Sequence, residues 1–230
     1  MTMIASRLKA VQDRISTACT AAGRDPASIR LLAVSKTFDT DAVLEAVSAG
    51  QVAFGENYIA EGVEKIIALR QQRALEWHCI GPVQSNKTRL VAENFDWVQS
   101  VDRLKIAQRL NEQRPPQLPL LHICLQVNVD GGANKSGVVP GELMALIQEV
   151  IQLPRLRFRG LMTIPEPSAD FAAACAVHLQ AKALFDQINS AGVLPEPMDT
   201  LSMGMTADLE AAIASGSTMV RVGTAIFGGR

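Results

Sequence analysis

Leu31-Leu32-Ala33-Val34-Ser35-Lys36 is an apolar run of strand length that closes on a single ammonium group. Such a run reads as a buried strand, and seven more candidates follow it at 52–55, 77–80, 96–99, 120–128, 157–162, 200–202 and 218–222. Between them, segments near 40–49, 57–72, 84–93, 102–113, 140–152, 168–191 and 206–215 read as helices. Strand and helix alternate with no low-complexity stretch or Pro/Gly linker to mark a boundary, so 1–230 reads as one domain. Eight strand–helix units in this length predict an α/β fold, a single (β/α)8 TIM barrel. An open doubly wound sheet would more often carry a glycine-rich dinucleotide turn. Asp41, Asp102 and Thr206 stand where helix N-caps belong, and Gly50, Gly192 and Gly216 stand just past helix ends. Ahead of the first strand, Ile4, Leu8, Val11 and Ile15 recur at helical spacing, which predicts an amphipathic opening helix and not a signal segment.

Composition excludes several function classes. Lys plus Arg total 22 against 23 Asp plus Glu, with no basic run or aromatic stripe to follow a nucleic-acid backbone. No apolar run approaches the roughly 20 residues that span a bilayer. Cys19, Cys79, Cys124 and Cys175 form no CxxC pair and no zinc-ligand spacing, and are expected as buried thiols in a reducing cytoplasm. His122 and His178 lack a partner at metal-ligand spacing and read as structural, so no metal is expected. Gly132-Ala133-Asn134-Lys135-Ser136 lacks the glycine before lysine that a P-loop requires, and no GxGxxG occurs, which argues against ATP and NAD.

The chemistry gathers at strand ends. Lys36 sits at the C-terminal end of the first strand, where barrel enzymes place reactive groups. A lysine that forms a Schiff base must first be neutral, through burial or a neighbouring cation; the alternative is a surface lysine covering apolar neighbours with its stem. Ser202-Met203-Gly204-Met205-Thr206 after strand seven and Arg221-Val222-Gly223-Thr224 after strand eight lie where barrels bind phosphate. Ser202 and Thr224 would supply hydroxyls and Gly204 and Gly223 a close backbone approach, against the alternative of ordinary turn and cap chemistry. An inward Arg221 needs an acceptor, either a pyridine nitrogen or a carboxylate. His78 and Cys79 are adjacent strand residues that point to opposite faces, which rules out a dyad and leaves one of them facing the interior.

The run Ala33-Val34-Ser35-Lys36-Thr37, followed by Phe54-Gly55-Glu56-Asn57-Tyr58, resembles the YggS/PROSC family of pyridoxal phosphate homeostasis proteins. Trp77-His78-Cys79-Ile80-Gly81-Pro82-Val83-Gln84-Ser85-Asn86-Lys87, Lys135-Ser136-Gly137, Arg159-Gly160-Leu161-Met162, Ser202-Met203-Gly204-Met205 and Arg221-Val222-Gly223-Thr224 match its other blocks in order. The resemblance covers essentially the whole chain. It implies a barrel similar to the alanine racemase N-terminal domain that holds pyridoxal 5'-phosphate as an internal aldimine. Residue by residue it makes Lys36 the Schiff-base lysine, Arg221 the partner of the pyridine nitrogen, and Ser202, Gly223 and Thr224 the phosphate site. Asn57 matches a polar neighbour of the ring, and His78, Met203 and Gly204 lie in matching blocks as further contacts. Cys79 departs from a larger apolar residue, and the chain ends at Arg230, a few residues short of its relatives.

The function so implied is intracellular pyridoxal phosphate homeostasis, with effects on amino-acid and keto-acid balance, by a monomer that carries the cofactor, with pyridoxal-phosphate-dependent client enzymes as further partners. The alternatives are a weak racemase-like enzyme and a sugar-phosphate aldolase. An Arg221 that keeps its proton leaves the ring a weak electron sink. A racemase needs a second acid/base on the opposite face, for which the lone Tyr58 is a poor replacement.

Overall fold

The structure, a computed structural model, describes residues 2–72, 75–131 and 136–229. The Gly132–Lys135 part of the rejected P-loop stretch, with the Lys135 of its family block, and Arg230 lie outside the described residues. Eight parallel strands close into a barrel in sequence order: β1 (Arg30–Val34), β2 (Ala53–Glu56), β3 (Glu76–Cys79), β4 (Trp97–Val101), β5 (Leu121–Gln126), β6 (Leu156–Met162), β7 (Thr200–Ser202) and β8 (Met219–Val222). Closure is made by β1 on β8, with Arg30 opposite Met219 and Ala33 opposite Val222. The helices are α1 (Met3–Ala21), α2 (Thr40–Ser48), α3 (Ile59–Ala68), α4 (Thr88–Asn94), α5 (Leu104–Gln113), α6 (Pro140–Val150), α7 (Phe171–Ser190), α8 (Leu209–Ala214) and α9 (Thr224–Phe227). All eight expected strands and all the expected helices are present; α9 and a 3-10 turn at Pro26–Ser28 were not foreseen, both being too short to show a period.

Two core layers follow from the alternation of strand residues. Outward-facing Ala33, Phe54, Cys79, Val98 and Ile123 join one large apolar cluster with the helices. Inside the barrel lie Leu32, Val34, Ala53, Ile80 and Met219, and separately Trp97, Cys124 and Met162. The opening helix α1 buries Ile4, Leu8, Val11 and Ile15 and packs on α2, α8 and α9. Each fully buried Leu or Ile contributes roughly 1.5–3 kcal/mol.

The expected N-caps are displaced. Asp39, not Asp41, caps α2 by accepting from Ala42 N. Arg103, not Asp102, precedes α5, and Asp102 instead pairs with Arg103. Asp208, not Thr206, precedes α8. Helices expected from 57, 84 and 206 begin at Ile59, Thr88 and Leu209, because the first residues after these strands form loops of the barrel mouth. Gly50, Gly192 and Gly216 follow helix ends with positive φ, as expected of C-terminal caps. Among the described residues, no helix is long and apolar enough to cross a membrane.

Candidate functional site

The strands deliver their C-terminal ends to one cleft of about 470 Å³, within the usual size range for small-molecule sites. Lys36 enters from the turn after β1, Asn57 from the end of β2, Gln126 from β5, Arg221 from β8, and Gly223 and Thr224 from the connection to α9. Gly81 is required beside Asn57, since a Cβ there would stand 2.0 Å from the Asn57 carbonyl oxygen.

Lys36 is exposed at the mouth, so burial is not a feature of this lysine. Its turn is nevertheless fixed from behind. Lys65 Nζ donates to Ser35 O (2.7 Å), Glu56 Oε1 (2.8 Å) and Glu61 Oε1 (2.6 Å). Ser35 Oγ donates to the same Glu56 oxygen (2.6 Å), and Thr37 N donates to Glu61 Oε1 (2.5 Å). Thr37 itself adopts φ +68°, a costly conformation for a β-branched residue. Burial pushes the Glu56 carboxyl up, against the hydrogen bonds of Lys65 and Ser35. Sequence reasoning missed Lys65; the available signal was a lysine on the buried face of a helix, between Val63 and Ile66.

Arg221 is buried, and its three described hydrogen bonds go to neutral atoms: Nη1 donates to Ser202 O (2.8 Å) and Ser202 Oγ (2.7 Å), and Nη2 to Thr163 O (2.7 Å). Burial pushes its pKa down to about 10, which leaves it charged at neutral pH. Among the described residues it has no carboxylate in salt-bridge contact, so the carboxylate alternative is not what the fold supplies. A buried cation that borders a cleft without a counter-ion suits a ligand that brings an acceptor. The residues therefore fit an aromatic nitrogen base at this point.

Four expected contact residues are not among those lining the cleft. The hydroxyl of Ser202 is already engaged: it accepts from Arg221 and donates to Gln99 Oε1 (2.6 Å). Met203 is fully buried in the outer core. Gly204 has φ +92°, and a Cβ there would meet Ala212 Cβ at 2.3 Å, so its role in the fold is close packing on α8. His78 is fully buried, stacked on Trp97 at 5.0 Å, with one ring nitrogen on Glu76 and the other on Gln99. The loop after β7 instead presents Met205, Thr206 and Ala207 to the cleft. Thr206 Oγ1 lies 3.4 Å from Thr224 Oγ1, so the loops that follow β7 and β8 do meet. Asp208 Oδ1 accepts from Met205 N (2.7 Å) and holds the loop. Tyr58 is exposed and outside the cleft lining. No group of three metal-ligating side chains occurs among the described residues.

A family model described as alanine racemase, N-terminal domain matches residues 6–230. A pyridoxal phosphate homeostasis protein of Pseudomonas aeruginosa is 56% identical over 230 residues, covering 100% of this chain and 97% of that one. A protein of the same name from Escherichia coli K12 is 52% identical over 232 residues, covering 100% and 98%. Among solved structures, PipY of Synechococcus elongatus with PLP bound superposes with TM-score 0.85 at 35% identity, covering 98% of this chain and 100% of that one. An alanine racemase of Clostridium difficile shares the fold at TM-score 0.69 and 18% identity, and this chain spans 56% of its length.

Proposed function

The chain belongs to the pyridoxal phosphate homeostasis proteins built on the alanine racemase N-terminal domain, and from this premise we propose that it binds pyridoxal 5'-phosphate in the cleft at the mouth of its barrel and serves intracellular homeostasis of that cofactor. The observation that carries the reading is the pairing, across one cleft, of an exposed Lys36 amine with a buried Arg221 that has no carboxylate in salt-bridge contact among the described residues. When bound, the cofactor supplies an aldehyde that an amine can capture, a pyridine nitrogen that can accept a hydrogen bond, and a dianionic phosphate. Lys36 is the residue that holds it covalently. Arg221 donates toward the ring nitrogen and keeps its own proton there. Thr224 and Gly223, at the start of α9 where backbone N–H groups lack intrahelical partners, hold the phosphate together with Thr206. Asn57 flanks the ring. His78, Ser202, Met203 and Gly204 act behind this shell and not within it.

The same reading has residues 1–230 act as one domain, a monomeric carrier in the cytoplasm that serves pyridoxal-phosphate-dependent client enzymes. Four free cysteines go with a reducing compartment. A racemase would need a second acid/base facing Lys36 across the cleft, and the exposure of Tyr58 away from the lining argues against it in that role.

The test is an absorption spectrum of the purified protein with pyridoxal phosphate, before and after borohydride, with mass spectrometry of the peptide that contains Lys36. A visible band that collapses, leaving reduced cofactor on Lys36, is expected. A protein that cannot be reconstituted, or one labelled at another lysine, sinks the proposal. Sustained turnover of an added amino acid would replace the carrier by an enzyme.

A further inference from the structure

A chain of hydrogen bonds crosses the barrel interior from the mouth to the opposite end. Arg221 Nη1 donates to Ser202 Oγ (2.7 Å), Ser202 Oγ donates to Gln99 Oε1 (2.6 Å), and Gln99 Nε2 meets His78 Nδ1 (2.8 Å). His78 Nε2 then meets Glu76 Oε1 (2.5 Å), at the first residue of β3. Gln99, His78, Ser202 and Arg221 are all buried, while Glu76 reaches the surface with its side chain 29% exposed.

The direction of every bond is fixed by the two ends. A guanidinium only donates, so Ser202 accepts from it and sends its own proton to the Gln99 carbonyl oxygen. The amide nitrogen of Gln99 then faces His78 Nδ1, which must be bare. The remaining proton of the neutral ring lies on Nε2 and is donated to the Glu76 carboxylate. Flipping Gln99 would set its N–H2 against the Ser202 hydroxyl and turn Nε2 into a bare acceptor facing a carboxylate, which the 2.5 Å contact forbids.

The protonation states agree with this order. Burial lowers the pKa of His78 in spite of the Glu76 hydrogen bond. Burial opposes the charge on Glu76, but the His78 hydrogen bond and Arg30 outweigh it and hold the carboxyl at about 2. The other charged or titratable groups nearby are Arg30 of β1, 2.8 Å from Glu76, and Arg159 of β6 and His122 of β5, which reach this region through Trp97.

We propose that Glu76 is a positioning residue for the cofactor site at the far end of the barrel: it selects the His78 tautomer, which orients Gln99 and Ser202, which in turn set the guanidinium of Arg221 at the cleft. The inference rests on the cleft being the pyridoxal phosphate site.

Two measurements test it. In the cofactor-free protein, nitrogen NMR of the His78 ring should show the neutral tautomer with hydrogen on Nε2; hydrogen on Nδ1 overturns the relay whether or not the cofactor binds. In protein loaded with pyridoxal phosphate, Glu76→Leu should shift the visible absorption maximum and weaken cofactor retention by roughly 2- to 30-fold. Glu76→Gln, which keeps an acceptor for Nε2–H, should recover most of both. Glu76→Leu should add nothing in a Gln99→Met background, where the chain is already cut. An unchanged maximum and retention within twofold in Glu76→Leu, or an undiminished effect in the Gln99→Met background, would overturn the proposal. A parent protein that binds no cofactor fails the proposed function instead, and leaves the His78 measurement to decide the relay.

Discussion

Lys65 Nζ stands 2.8 Å from Glu56 Oε1, and both side chains are buried behind the turn that carries Lys36. A buried pair of this kind adds little net stability when intact but is costly to break, because the survivor is left charged and dry. Lys65→Met should therefore destabilise the protein by roughly 3–5 kcal/mol and loosen the Ser35–Thr37 turn. Urea unfolding checks the first effect. Adding Glu56→Gln to Lys65→Met should return a large part of the loss; a double variant no more stable than the single one would remove the charge argument.

Lys36 is exposed and outside the core, so Lys36→Ala should leave the unfolding free energy of the cofactor-free protein unchanged to within about 0.5 kcal/mol. The same variant should lose all cofactor that borohydride can fix. Retention of a fixed cofactor by Lys36→Ala would place the covalent attachment on another lysine.

The Thr224 hydroxyl is within 3.4 Å of the Thr206 hydroxyl and faces the cleft. If both meet a charged phosphate, Thr224→Ala should weaken cofactor retention by roughly 1–3 kcal/mol. Equilibrium dialysis against pyridoxal phosphate gives the number, and an unaltered affinity would take Thr224 out of the phosphate site.

Acid should lower the stability of the protein through two overlapping pH windows. Burial and then the Arg159 charge depress His122 from 6.5 to about 4, and its Nδ1 accepts from Arg159 (3.1 Å). Glu76 falls from 4.5 to about 2. In both cases the folded state binds fewer protons than the unfolded chain, so stability falls as pH falls. The His122 share goes between pH 6.5 and about 4, and the Glu76 share between 4.5 and about 2. Denaturant midpoints measured from pH 7 downward should decline through these windows, and His122→Gln should make the upper one shallower, the remainder coming from His78, whose pKa burial also lowers. A midpoint that rises on acidification would contradict the assignment.

The sequence by itself determined the barrel, because strand and helix periods are local: each apolar run reports its own burial, and eight alternating units leave few ways to cover both faces of a parallel sheet. It also determined that Lys36, Asn57, Arg221, Gly223 and Thr224 share one end of the fold, since each follows or closes a strand at its C-terminal end. Helix starts at the mouth were harder to read, because residues such as Asn57, Tyr58 and Thr206 suit a helix by pattern yet belong to the loops that follow β2 and β7. Only the tertiary structure decided what Ser202 and His78 do. Ser202 and Gln99 are 103 positions apart in the chain and 2.6 Å apart in space, and a polar side chain taken by such a partner looks in sequence the same as one free to meet a ligand. The Lys65–Glu56 pair, and the lack of a carboxylate in contact with Arg221 among the described residues, are of the same kind, since what matters there is which charges barrel closure brings into contact and which it holds apart.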